Sequence, residues 1–144
     1  MSASWLRHPP SPAALLLGVR IAAVAAAVPL LLRLRLDRLA RLLEPRRVRP
    51  QPAPADVERL VGRIDHVLAA GRPLVRPGCL TRGVTRFWFL RRAGVPVDLV
   101  FGMGRPVGDF EGHCWLVRDA EPWLEKVDPR PVYVESYRIA HRPA

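Results

Sequence analysis

The sequence predicts an α+β domain, with helices first and a small antiparallel sheet last. Apolar residues recur at helical spacing over about 57–70 and again over about 79–93. From residue 97 the period changes to alternation, first in PVDLVFGM and then in HCWLVRD. A Gly-rich loop and a tight turn join these later segments, which suits a hairpin or meander.

Size and composition bound what the chain can be. It has 144 residues, of which 49% are hydrophobic, enough for one packed core and too apolar for a disordered chain. Two cysteines cannot build a disulfide scaffold. The net charge is +10, yet residues 1–50 alone hold nine Arg against two acids. Lys126 is the single lysine. Such an arginine bias reflects codon composition as much as chemistry, so the charge is not taken as a sign of nucleic-acid binding.

The elements follow in order. Residues 1–12 are polar and Pro-rich and read as a flexible terminus. Residues 13–32 are nearly all apolar and long enough to span a bilayer as a helix. Arg20 inside the run, Pro29 near its end and its alanine content argue against a clean span. A thin basic start and no small-residue cleavage site argue against a signal peptide. Residues 33–44 predict an amphipathic helix, with Leu32, Leu36, Leu39 and Leu43 on one side and Pro45 as its stop. That stripe needs the domain's own core, a membrane surface or a protein partner to cover it. Four prolines in residues 45–55 predict an extended connector. The expected organisation is thus a helical region with connector over 13–54 and a catalytic domain over 55–144.

Asp56 opens the next helix, about 57–70, whose Val57, Leu60, Val61, Ile64 and Leu68 share a face; Gly71 and Pro73 stop it. After Pro77 and Gly78 a largely buried helix runs from about 79 to 93, closed by Gly94 and Pro96. The first strand holds Val97, Leu99 and Phe101 on one face. The second, opening at His113, places His113, Trp115 and Val117 on one face and Cys114 and Leu116 on the other. Asp119–Pro122 read as a turn, WLEKV as a returning strand, and PRPVYVESYRI as a short edge segment.

Cys79 and His113 carry the chemistry. Cys79 falls in the first turn of an apolar helix, where free backbone N–H groups and the positive helix end favour a thiolate, the nucleophilic form. Those amides also suit an oxyanion. His113, at a strand start beside a flexible loop, is placed to act as base over that helix end. Glu125 and Asp128 are the candidates to orient its ring across the sheet. Core packing remains the plainer reading of a lone cysteine on an apolar helix, and of Cys114. Cys79, His113, Cys114 and an acid lack the spacing of a zinc site, and the glycines lack a phosphate-binding pattern, so neither metal nor cofactor is expected.

Cys79-Leu80-Thr81-Arg82, Arg91-Arg92-Ala93-Gly94-Val95, the strand Leu99 to Gly102 and His113-Cys114-Trp115 occur in this order. Together they resemble the transglutaminase-like B proteins (McjB type, C-terminal domain) that process lasso-peptide and microcin precursors. The resemblance implies a papain-like cysteine-protease fold, Cys79 as nucleophile and His113 as base. It also implies an acid about twelve residues after the histidine, usually Asp. Here that residue is Glu125, with Asp128 three residues later. The implied activity is removal of a leader from a ribosomally made precursor peptide. The implied partners are that precursor, a separate leader-recognition protein and an ATP-dependent macrocyclase, with no ATP site on this chain. Another thiol hydrolase or acyltransferase, or a noncatalytic membrane-associated assembly component, are the alternatives. The expected location is cytoplasmic, with membrane association through residues 13–44.

Overall fold

A computed structural model describes residues 10–72, 75 and 78–143. Residues 1–9 of the expected flexible terminus, and the helix-flanking Pro73 and Pro77, lie outside the described residues. The described residues form four helices and a four-stranded antiparallel sheet, an α+β arrangement.

Helix α1 spans Pro12–Leu31, with the Ser11 hydroxyl capping it by accepting from the Ala14 N–H. Its inner face, Ile21, Ala25 and Val28, is buried. Ile21 and Ala25 pack with Ile64, Leu68 and Phe89. Leu15, Leu16, Val19 and Leu30 on its outer face are more than half exposed. By length and composition α1 meets the requirements of a membrane span, which core helices and signal sequences also meet.

Helix α2 covers only Leu36–Leu43. The expected helix over 33–44 is thus shortened at its start: the turn after α1 occupies residues 32–34, and Arg35 takes the extended conformation of a cap. Leu39 and Leu43 enter the main core beside Val84, Phe87 and Leu90, so the leucine stripe is covered by the chain itself. Leu36, expected on that stripe, is exposed.

Helix α3 spans Pro54–Ala70, starting earlier than the expected 57. Pro54 sits in the first turn, where no N–H is required and proline's fixed φ suits the helix. The last proline of the connector is therefore a helix starter. Val57, Val61, Ile64 and Leu68 form its buried face.

Helix α4, Cys79–Ala93, lies at the centre, packed by α1, α2 and α3 and against the sheet. Gly94 ends it in the left-handed conformation, φ 94°, which a side chain would resist. Arg91, 1% exposed, is held by both Glu44 carboxylate oxygens at 3.2 and 3.3 Å, and it donates to the carbonyls of Val95 and Arg142. One guanidinium thus ties the end of α2, the end of α4 and the C-terminal tail. Beside it, Arg92 lies over the Trp88 ring and donates to the carbonyl of Leu43.

The strands are β1 (Asp98–Gly104), β2 (Glu111–Arg118), β3 (Glu121–Trp123) and β4 (Tyr133–Ile139), in the spatial order β3-β2-β1-β4. β2 begins two residues before His113. Asp119 and Ala120 both take positive φ, which matches the twist of a two-residue hairpin turn. The expected returning strand WLEKV is corrected: pairing stops at Trp123 and Leu124 turns away with φ 63°. The edge segment is a full strand, and it pairs with β1 rather than with the element before it. Cys114 and Leu116 face α4, while Trp115 and Val117 pack with Val100 on the opposite face, as the alternation requires.

Candidate active site

Helix α4 approaches β2 closely because residue 83 is glycine. A Cβ there would stand 2.7 Å from the Cys114 Sγ. Cys79 lies one turn earlier on the same helical face. The close contact therefore draws the start of α4 toward the part of β2 that carries His113. Cys79 is half-buried and Cys114 buried, and both are free thiols.

Burial pushes the Cys114 thiol well above its ordinary value; Cys79 and Glu125 add to the rise and Arg82 opposes it. Cys79, Glu125 and Arg82 thus all lie within electrostatic reach of one sulfur. The Tyr133 phenol is raised as well, by desolvation first, then by Glu111 and Cys79. Cys79 is thus within electrostatic reach of Tyr133 as well.

His113 is held on three sides. Its ring stacks on Tyr133 at 4.8 Å between centroids and on Trp115 at 5.8 Å. Its Nε2 lies 3.3 Å from Glu125 Oε2. The two side chains are 17% and 13% exposed, so water competes weakly for this contact.

Glu125 reaches His113 because of the turn at Leu124. Arg86 of α4 fixes that turn: it donates to the Leu124 carbonyl and is itself paired with both Asp65 oxygens, at 2.9 and 2.7 Å. A strut thus runs from α3 through α4 to the residue before Glu125. Asp128 is placed differently. Its carboxylate is taken by the Arg130 side chain and backbone N–H, and these bonds hold its pKa below the usual range.

A cavity of about 390 Å³ opens beside His113 and Glu125. Arg82, Arg86, Lys126, Asp128 and Tyr133 share its wall, with Pro106, Leu124, Val127, Pro129 and Val132 as the apolar part. Cys79 is not in that wall; Arg82 and Arg86, on the next turns of its own helix face, are. The structure therefore brings His113 and Glu125 into contact and leaves Asp128 on Arg130. Sequence reasoning gave no site role to Arg82, Arg86 or Asp65, although Arg82 stands in the motif that carries the family resemblance. The available signal was spacing: Arg82 and Arg86 follow Cys79 at i+3 and i+7, one helical stripe. No group of three or more His, Cys, Asp or Glu among the described residues is arranged to hold a metal ion.

No curated protein and no solved structure matches the chain. The family model of the transglutaminase-like superfamily matches residues 21–138, from within α1 to the penultimate residue of β4, and includes Cys79, His113 and Glu125. The chain belongs to the transglutaminase-like superfamily, whose fold is of the cysteine-protease and acyltransferase type.

Proposed function

We propose that this chain is a papain-like cysteine peptidase that removes the leader from a ribosomally made, lasso-type precursor peptide. The observation that carries the reading is the His113–Glu125 pair, stacked on Tyr133 and opening on a cavity walled by the helix that Cys79 begins. Cys79 Sγ attacks the scissile carbonyl, and the first-turn amides of α4 receive the developing oxyanion. His113 protonates the leaving amine through Nδ1, which leaves a thioester. The ring then takes a proton from water as the hydroxyl adds, and the free acid and thiol are released. Glu125 holds the imidazole and stabilises its charged form. Asp128 takes no part in this scheme, because Arg130 already engages it. The precursor, a separate leader-recognition protein and an ATP-dependent macrocyclase are the proposed partners.

Cleavage of a cognate precursor, together with iodoacetamide labelling located by mass, tests this reading. Fast labelling of Cys79, slowed in His113→Ala, and cleavage lost in Cys79→Ala are expected. Cys114 should stay unlabelled in the folded chain, because burial holds it as the neutral thiol. Cleavage retained in Cys79→Ala overturns the peptidase reading. Reactive Cys79 with acyl transfer to an amine and no hydrolysis would make the chain an acyltransferase.

A second observation concerns location. We infer that the outer face of α1 rests on an anionic lipid surface. Leu16, Val19 and Leu30 project from it, Arg20, Arg33 and Arg35 are exposed beside it and just beyond its end, and no acidic residue occurs from 10 to 36. In flotation assays the full chain should rise with phosphatidylglycerol vesicles and not with phosphatidylcholine vesicles. Leu16→Ser/Val19→Ser/Leu30→Ser, which leaves the buried face intact, should stay at the bottom. Absence of wild-type flotation with either vesicle removes this inference.

A further inference from the structure

We infer that the cavity beside His113 receives a peptide carboxylate and that Arg82 is the residue that holds it. This rests on the peptidase reading above and adds a substrate feature to it. Of the cations around the cavity, Arg86 grips Asp65 through two bonds, Arg130 grips Asp128 and Glu121, and Lys126 is exposed to water. The acids are committed too, Asp65 to Arg86, Glu125 to His113 and Asp128 to Arg130. Arg82 differs. It is half-buried in the cavity wall and, among the described residues, has no carboxylate within ion-pair distance.

A half-buried guanidinium has lost part of its hydration without gaining a counter-charge, so an incoming anion is favoured there. Its planar fork suits a carboxylate in particular. Arg82 is also three residues beyond Cys79, so the two side chains rise from neighbouring points of one helical face. A carboxylate held by Arg82 therefore belongs to the part of the substrate next to the attacked carbonyl. Lys126, also in the wall, adds positive potential. Two sources offer this chemistry: an acidic side chain beside the scissile bond, or the chain-end carboxylate of the released product.

Paired alkylation tests this without a known precursor. Iodoacetate and iodoacetamide differ in charge and attack the same sulfur. Their rate ratio at Cys79, divided by that of free cysteine, reads the local attraction for a carboxylate. The ratio of ratios should be about five to ten at low salt, and it should fall as salt rises. Arg82→Gln should lower it severalfold, to the level that the helix end, His113 and Lys126 sustain, whereas Arg82→Lys, which keeps the charge, should stay near the wild-type value. Because only the ratio is read, a general change in thiol reactivity cancels. A wild-type value near one, or one unmoved by salt and by Arg82→Gln, overturns the inference. Rapid iodoacetamide labelling in the same experiment would still leave the peptidase reading standing, so the two failures are separable. Protection of Cys79 from iodoacetamide by N-acetyl-dialanine would identify the chain-end carboxylate. Protection by N-acetyl-aspartyl amide would identify the side chain, and protection by neither would count against both.

Discussion

Glu125→Ala is expected to slow single-turnover cleavage by roughly 10²- to 10⁴-fold, the range that a positioned acid–base group contributes. Among the described residues Glu125 gives His113 its one carboxylate contact, and both groups are mostly withdrawn from water. Without the carboxylate, stacking on Tyr133 and Trp115 still fixes the plane of the ring but no longer its rotation within that plane. The imidazolium that forms when Cys79 gives up its proton also loses its counter-charge. Glu125→Gln keeps the shape and should recover the orientation but not the charge, giving an intermediate rate. The thermal midpoint of each variant separates this effect from unfolding. A Glu125→Ala enzyme with wild-type turnover and an unchanged midpoint would remove Glu125 from the proposed machinery.

Glu44→Ala should be the most damaging change outside the site. Arg91 is 1% exposed, and Glu44 supplies its compensating charge through two oxygens. Deleting one partner of a buried pair leaves an uncompensated charge and costs about 3–5 kcal/mol. For a domain of this size the midpoint should drop on the order of 10 °C. The remaining bonds, to the Val95 and Arg142 carbonyls, are neutral and cannot replace the carboxylate. Glu44→Leu combined with Arg91→Met removes both charges and should recover much of the loss. Equal losses in the single and double variants would show that packing, not charge, dominates at this position.

What was legible in the sequence depended on how local its cause was. Helix α4 could be read within a residue at each end, because its apolar period, Gly94 and Pro96 are all nearby signals. The alternation around His113 likewise assigned faces to β2 correctly. Helix α3 was misread at its start because prolines break helices in the interior and favour them in the first turn; Pro54 needed the second rule. Strand β4 pairs with β1 across a long stretch of chain, and no local pattern specifies that partner. The difference between Glu125 and Asp128 was hidden for a related reason. It depends on Leu124 taking a positive φ, uncommon for leucine, under the hold of Arg86 and Asp65, two residues distant in sequence.

The strand order has a consequence for assembly. The β1–β2 ladder closes across the short 105–110 loop, whereas β4 reaches the other side of β1 only after residues 105–132 have been placed. Closing the longer loop costs more chain entropy, so the hairpin with His113 is expected to form before β4 docks. Tyr133, the plate against which the imidazole rests, begins that late strand. The Arg142 carbonyl on Arg91 then latches the tail that follows it. A nascent chain therefore carries its histidine early and completes the pocket last, once nearly the whole domain has been made.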